Sequence, residues 1–350
     1  MKPGWMPLLA LLSLPSLAHG YGEPEGVEPH IEERALHFQT DRLRVDPGAT
    51  DVQFDSYDPV RPLIYSADLH AAARFYADDM AENGCFPADH SSCDGTSFGE
   101  RVSSFYGGST IGENIAKGQP SAEFAVFDSW LYSDGHRTNM LSDSWNELGT
   151  GFGPNGSQPL WVQDFGFRGG VEEPVITSAT HEPLRPSAES DTRFFAASFE
   201  PSGVDLADMR LVVTNACFDM EIDRGGDGMT TYVANAPTGP EGCMPYWFFG
   251  TTEAGDLISY PTEGSLLAPV GGASCDSWTD ERRKADCAPS DLAGFSGSGG
   301  GCASGGAEAY PDANVGQNAE YGTCAQSGDS SPRWVMLLGV FGLLGRRRRV

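Results

Sequence analysis

The sequence is poor in positive charge. It holds 22 Lys and Arg against 49 Asp and Glu, which gives a net charge of −27 at pH 7. Four of the arginines form the C-terminal cluster 346–349, so the rest of the chain is more acidic still. A surface of this sign repels nucleic acid and anionic membranes, and it suits solubility outside the cell. We therefore exclude nucleic acid as a partner.

Several catalytic signatures are also missing. Ser129, Ser133 and Ser142 lie outside any Gly-x-Ser-x-Gly elbow, and no glycine-rich phosphate loop follows a predicted strand. The eight cysteines include no Cys-x-x-Cys pair. These absences argue against a nucleophilic role for those three serines, a phosphate loop and a zinc ribbon.

No apolar run reaches the roughly 20 residues that a membrane-spanning helix needs. At the N-terminus, a single lysine, an apolar stretch and the small residues of Ala18-His19-Gly20 predict a secretory signal peptide over residues 1–20. At the C-terminus, residues 331–350 combine a short apolar run from Trp334 to Leu344 with the arginine cluster. This end resembles the sorting tails of myxobacteria, with Cys324 as the upstream anchoring cysteine. A frayed amphipathic end is the alternative.

Eight cysteines behind a signal peptide indicate an oxidising compartment. Their order suggests four local pairs: Cys85 with Cys93, Cys217 with Cys243, Cys275 with Cys287, and Cys302 with Cys324. If Cys324 instead anchors the chain, Cys302 loses its partner, and the sequence leaves both alternatives open.

Helix and strand patterns alternate without βαβ repetition over residues 31–168, which predicts an α+β layered domain. The helices are expected at residues 31–45, at 66–83 with Ser66 as N-cap and Gly84 as terminator, and at 121–132. Strands are expected at 147–153 and 160–167. His37 and His70 lie on helix faces without nearby partners and are expected at the surface.

From about Val171 the pattern changes to short strands separated by Gly/Asp turns. The candidates are residues 174–180, 193–199, 210–222, 229–235, 246–251 and 257–260. This spacing predicts an all-β, immunoglobulin-like sandwich over residues 171–270. Beyond it the composition shifts to Gly, Ser, Ala and Asp, which predicts a flexible stalk over residues 271–330.

Four phrases in the first domain hold the candidate site. They read His-Ser-Ser-Cys-Asp-Gly-Thr-Ser-Phe-Gly-Glu-Arg from His90, Gly-Glu-Asn-Ile-Ala from Gly112, Gly-His-Arg-Thr-Asn-Met from Gly135 and Trp-Val-Gln-Asp-Phe from Trp161. They place two histidines and one glutamate at ordered spacing in a segment otherwise short of histidine. That is the minimum set for a divalent metal site or an acid/base centre.

In this order, the phrases are similar to those of the CAP superfamily of cysteine-rich secretory proteins, especially its bacterial secreted branch, over residues 31–168. The resemblance implies an α-β-α sandwich with a central cleft, in which His90, Glu113 and His136 match the family's cleft residues. Where many eukaryotic members have a second glutamate and a second histidine, this chain has Ser133 and Leu160. The four-residue metal cleft of those members is therefore incomplete here.

The chemistry of these side chains allows several roles. His90 and His136 are candidates to hold Zn²⁺ or another divalent metal weakly, with Glu113 as a further ligand or as a base. The supporting amides are expected to be Asn114, Asn139 and Gln163. Structural roles are the alternative: His136 as a helix cap, Glu113 as a hydrogen-bond acceptor in a buried turn, and Arg101 as an ion-pair partner.

Three functions remain open from the sequence. The first is a secreted, surface-tethered protein whose cleft binds a lipid, another small amphiphile or a cell-envelope component. The second is a metal-assisted hydrolase acting on peptide or glycan, and the third is a surface adhesion or scaffold protein. All three place the chain outside the cell or on a bacterial outer surface, with membrane contact only through the C-terminal tail or a lipid anchor. Whether the protein is an enzyme stays undecided.

Overall fold

The computed structural model describes residues 28–170, 174–282, 285 and 287. The predicted signal peptide, the C-terminal tail, Cys302, Cys324 and most of the predicted stalk lie outside these residues. None of the helices in the described part combines the length and the apolar content that crossing a membrane requires.

The first unit is a four-stranded sheet between helices. The strand order is β1-β3-β4-β2, with β1 parallel to β3 and the other pairs antiparallel. Its elements are α1 (Ile31–Val45), β1 (Ile64–Tyr65), α2 (Ala67–Asn83), α3 (Phe98–Phe105), β2 (Thr110–Lys117), α4 (Asp134–Met140), β3 (Glu147–Gly153) and β4 (Leu160–Phe167). The predicted bounds of α1, β3 and β4 are confirmed.

The two faces of this sheet belong to different apolar clusters. Ile115 and Val162 pack with residues of α2 on one face, whereas Ala116 and Phe165 pack with residues of α1 and the Phe124–Tyr132 segment on the other. The three-layer arrangement expected of the first domain is therefore present. The Phe124–Tyr132 segment is not one α-helix, as expected for residues 121–132, but a π-helical turn, Phe124–Ser129, followed by a 3₁₀ turn, Trp130–Tyr132.

Glycines on β3 allow α2 to lie directly on the sheet. A Cβ atom on Gly149, Gly151 or Gly153 would come within 2.1–2.4 Å of the backbone of α2. Successive glycines are two residues apart on the strand and face helix positions about four residues apart. Only a strand without side chains on this face fits against α2. At the ends of α2, the Ser66 side chain accepts a hydrogen bond from the Leu69 N–H, and Gly84 ends the helix with φ of 68°.

The second unit is a sandwich of two sheets. One has the order β5-β6-β10-β9, the other β14-β13-β11-β7-β8 with β12 beside β11. The strands are β5 (Val175–Glu182), β6 (Asp191–Phe199), β7 (Ala207–Val213), β8 (Ala216–Asp219), β9 (Glu221–Gly226), β10 (Met229–Pro237), β11 (Gly242–Thr251), β12 (Leu257–Tyr260), β13 (Ser265–Val270) and β14 (Trp278–Thr279). One apolar cluster, with Phe194, Leu211 and Phe248 fully buried, fills the space between the sheets. The β domain is confirmed, and its immunoglobulin-like type stays a prediction.

The expected strand at 210–222 is in fact three strands, β7, β8 and β9. The chain turns at Thr214, whose φ is 58°, and β8 and β9 belong to different sheets. Strand β13 was not expected from the sequence.

Two of the predicted disulfide pairs are wrong. Cys85–Cys93 forms as expected, but Cys217 bonds to Cys287 and Cys243 bonds to Cys275. Cys217 lies on β8 and Cys243 on β11, and β7 runs between these strands. Two strand spacings amount to about 10 Å, whereas a disulfide needs Cα atoms less than about 7 Å apart.

The sheet also continues past the predicted start of the stalk. Strand β14 pairs with Ser265 and Leu266 of β13, and the Trp278 indole donates to the Glu263 carbonyl at 3.1 Å. With two disulfides reaching Cys275 and Cys287, the domain boundary placed at residue 270 is too early.

Helix α1 contacts both units. Its Leu36 and Leu43 belong to the first unit's core, whereas Phe38 packs on Phe195 of β6 with ring centroids 5.2 Å apart. The polar residues are also paired across the boundary: Asp41 Oδ2 accepts hydrogen bonds from Thr177 at 2.8 Å and Ser178 at 2.6 Å.

The expected surface positions of His37 and His70 are therefore wrong. The second unit covers α1, so His37 is only 3% exposed. His70 is fully buried because its backbone lies against Gly149 of β3.

Candidate functional site

A cleft of about 400 Å³ lies between β2, the loop that carries His90 and the segment from Ser129 to Asn139. Its lining contains all three predicted site residues, His90, Glu113 and His136, together with Asn114 and Asn139. Residues of three of the four phrases, up to 49 positions apart in the chain, thus line one hollow. Gln163 is fully buried behind it.

The loop that carries His90 is held at both ends. The Cys85–Cys93 disulfide closes it, and the Cys93 N–H donates to Asp79 Oδ2 on α2 at 2.7 Å. His90 itself has φ of 61°, in the left-handed region that few non-glycine residues occupy. Such conformations persist where the surrounding structure fixes them, and they cluster at functional sites.

Glu113 is the central group of the site. Its Oε1 lies 2.7 Å from His90 Nδ1, and its Oε2 accepts a hydrogen bond from Arg101 Nη2 at 2.5 Å. Arg101 also donates to the His90 carbonyl at 3.0 Å and lies over the Tyr76 ring, 3.6 Å from its centroid. The Glu113 and Arg101 side chains are each 1% exposed. Arg101 is therefore the buried ion-pair partner of Glu113, which matches its structural interpretation from the sequence.

His136 lies in the first turn of α4. Its Nδ1 lies 2.8 Å from the Ser133 hydroxyl. Ser133 occupies the position where the resemblance expects a glutamate, and here it forms a hydrogen bond with the cleft histidine. Burial and then the neighbouring His90 lower the pKa of His136 to about 4. The ring is neutral at pH 7. It does not cap carbonyls at a helix end, which was the structural alternative for this residue.

The three predicted amides form one hydrogen-bonded chain that begins at the cleft lining with Asn139 and Asn114 and continues to the buried Gln163. Asn139 Nδ2 donates to the Glu113 carbonyl at 3.1 Å and to Asn114 Oδ1 at 2.9 Å. Asn114 Nδ2 donates to Gln163 Oε1 at 3.0 Å, and Gln163 Nε2 donates to the Thr40 hydroxyl of α1 at 2.6 Å. These contacts fix α4 against β2, and β2 against β4 and α1.

The donor set does not fit a three-ligand metal site as it is arranged. In the described ranges, the one group of three His, Cys, Asp or Glu ligand atoms within 4.8 Å of one another is Asp79, Cys85 and Cys93, and both cysteines are in the disulfide. Both Glu113 oxygens already have partners. Weak binding of Zn²⁺ or another divalent metal by His90 and His136 stays a prediction.

Asp164 belongs to the site but was missed in the sequence. It is the direct cross-strand partner of Glu113 and is fully buried. Burial and the like charge of Glu113 raise the pKa of Asp164 well above its ordinary value. A lone carboxylate in a strand of mostly apolar residues was the available signal, since such groups are costly to bury. The strand register that pairs Asp164 with Glu113 could not be predicted from the sequence.

Comparisons with known proteins find a family similarity over the first unit. Residues 38–165 match the family model described as CAP, the cysteine-rich secretory protein family. The uncharacterized protein YkwD of Bacillus subtilis (strain 168) is 36% identical over 107 residues, which are 30% of this chain and 40% of that protein. The chain thus spans about two fifths of the length of this relative. Residues 38–165 are therefore similar to the CAP family, as the motifs indicated.

Solved structures give weaker similarities. An extracellular protein containing an SCP domain from Bacillus anthracis str. Ames is 24% identical with a TM-score of 0.31, covering 39% of this chain and 41% of that one. An outer surface protein from Borrelia burgdorferi is 19% identical with a TM-score of 0.34, covering 41% of this chain and 96% of that one.

Proposed function

We propose that this is a secreted protein of the bacterial outer cell surface, and that its CAP cleft binds a lipid or another small amphiphile of the cell envelope without changing it chemically. Three disulfides among the described residues support an oxidising compartment. Attachment through the C-terminal tail, at Cys324, is part of the same proposal.

The observation that carries the binding role is the state of Glu113. A general base needs a carboxylate oxygen that can reach a proton on the substrate or on water. Here one oxygen is bound by His90 and the other by a buried guanidinium. Both oxygens are therefore engaged in stabilising the wall of the cleft, which supports a binding role.

The lining of the cleft also suits an amphiphile. Phe86, Ile115 and Trp130 supply apolar surface, while His90 and His136 supply polar groups. Small-molecule pockets are mostly apolar with a few placed polar groups, at volumes of about 300–1,000 Å³. A cleft of about 400 Å³ holds one acyl chain of modest length and part of a head group.

The test is calorimetric titration with dodecylphosphocholine below its critical micelle concentration, a zwitterionic single-chain probe. Ala88 lies exposed on the cleft lining, so Ala88→Trp fills the cleft without disturbing a buried contact. We expect saturable binding by the native protein and a loss of about tenfold or more in Ala88→Trp. Ala254→Trp, at an exposed turn of the second unit, is the matched control. Absence of saturable binding, or equal affinity in the two variants, contradicts the proposal.

Hydrolysis of a peptide or glycan is the second candidate. It is favoured by Asp164, which lies directly opposite Glu113 and whose pKa is raised well above its ordinary value, because a carboxyl group with a raised pKa can act as a general acid. It predicts that Glu113→Gln loses about tenfold or more in turnover while staying folded. The measurement is digestion of peptidoglycan or casein by the native protein and by Glu113→Gln. Equal turnover in the two proteins excludes this role for Glu113.

A further inference from the structure

The CAP cleft carries one charge that no neighbour balances. Its lining contains one carboxylate, Glu113, and one ammonium group, Lys117. Glu113 is neutralised by the buried Arg101, whereas Lys117 forms no ion pair with any described residue. Lys117 is half-buried at the end of β2, and it is one of three lysines in a chain of net charge −27. An uncompensated positive charge in a cleft attracts anions.

The free edge of the first unit's sheet lies in the same cleft. Strand β2 is an edge strand, and its residues from Glu113 to Lys117 line the hollow. Directly after β2, the Gly118 N–H donates to the Pro159 carbonyl at 2.8 Å. Because hydrogen-bonded and non-hydrogen-bonded pairs alternate along an antiparallel ladder, the odd-numbered residues of β2 direct their backbone groups away from β4.

The carbonyl groups on this outer edge already have partners. The Glu113 carbonyl accepts from Asn139 Nδ2 at 3.1 Å, and the Ile115 carbonyl accepts from the Trp130 indole at 3.1 Å. The outward N–H groups of Ile115 and Lys117, by contrast, donate to no group in the described part of the chain. The edge therefore offers hydrogen-bond donors without free acceptors, and the Lys117 ammonium group belongs to the same strand end.

This pattern of donors selects among ligand groups. A peptide strand that paired with the edge would need carbonyl acceptors for its own N–H groups, and the Glu113 and Ile115 carbonyls are taken. A carboxylate or a phosphate group only accepts hydrogen bonds and is negatively charged. It is therefore the complement of free N–H groups beside an ammonium group.

We propose that the head group of the bound amphiphile is anionic, a carboxylate or a phosphate, and that it is held by the Lys117 ammonium group and the outward N–H groups of β2. The apolar chain then lies against Phe86 and Trp130 of the same lining. This inference rests on the proposed function, because it adds a head-group charge to the binding of an amphiphile in that cleft.

The experiment is calorimetric titration of the full chain with single-chain probes that differ in their head group, each below its critical micelle concentration. Dodecanoate and dodecyl phosphate are anionic, dodecylphosphocholine is zwitterionic and dodecyltrimethylammonium is cationic. We expect at least one anionic probe to bind about tenfold tighter than dodecylphosphocholine. The cationic probe should bind no tighter than dodecylphosphocholine. The tighter of the two anionic probes identifies the head group as a carboxylate or a phosphate.

Variants of Lys117 test the assignment of the charge. Lys117→Gln should abolish the preference for the anionic probe over dodecylphosphocholine, whereas Lys117→Arg, which keeps the charge, should retain most of it. The matched control is Arg210→Gln, which removes the same charge from a mostly exposed pair of the second unit and should leave the preference unchanged. Near-ultraviolet circular dichroism checks that each variant is folded.

The outcomes separate this inference from the proposed function. Binding of dodecylphosphocholine without any preference for an anionic probe overturns the inference alone, whereas no saturable binding of any probe overturns both. A preference that survives in Lys117→Gln, or that Arg210→Gln reduces equally, also overturns the inference. Saturable binding of an uncharged peptide, acetyl-Val-Thr-Val-amide, would show strand pairing at the edge of β2 and would contradict it as well.

Discussion

The two units of this protein bury polar groups in different ways. Around the cleft of the first unit, buried charged and amide side chains contact one another, as in the Glu113–Arg101 pair. Between the sheets of the second unit, the core is aliphatic and aromatic, and His181 with its Tyr246 partner is a buried polar contact at its edge. Apolar packing dominates the second core. The shape of the cleft depends on a few ionic contacts, so single substitutions should act differently in the two places.

The largest effect is expected from Arg101→Leu. It leaves Glu113 buried without its guanidinium and beside Asp164, and breaking a buried ion pair costs about 3–5 kcal/mol. Urea unfolding measures the loss, and the cleft probe should no longer bind. Because Arg210 and Asp219 form a mostly exposed pair in the second unit, Arg210→Gln should cost about 0–1 kcal/mol. Equal costs for the two variants would remove the distinction between the units.

A core truncation in the second unit should come next. Leu266 is fully buried between the sheets, and Leu→Ala at such sites costs about 3 kcal/mol. Affinity for the cleft probe should stay unchanged in Leu266→Ala. Because α1 is packed against both units, amide hydrogen exchange in the first unit should nevertheless accelerate. Exchange that changes only in the second unit would show that the units unfold separately.

A smaller effect is expected from acid. Burial lowers the pKa of His181 to about 3, against about 6.5 in the unfolded chain. Between these values the unfolded state binds the proton, so the stability that His181 contributes is complete above pH 6.5 and falls as the pH drops. The loss from pH 7 to pH 5 is about 2 kcal/mol. Urea unfolding at pH 7 and pH 5 should show a smaller loss of stability in His181→Gln than in the native protein. The same pH dependence of stability in both proteins contradicts the prediction.

Much of the first unit could be predicted because its signals are local. The N-cap at Ser66, the terminating Gly84 and the short loop of Cys85–Cys93 each depend on residues within one turn or one loop. The three cleft residues were also found, because motif resemblance carries spatial information that periodicity lacks. Asp164 was missed, since its pairing with Glu113 depends on strand register.

By itself, the sequence determined which residues form α2, β3 and β4, and which side chains meet at the cleft. Helix caps, the alternation of apolar and polar residues and ordered motifs all depend on residues that are close together in the chain. Only the tertiary structure decided the pairing of Cys217 and Cys243 with distant partners and the burial of α1. Those features depend on strand order and on how the units meet. Both set distances between residues far apart in the chain, which no local pattern encodes.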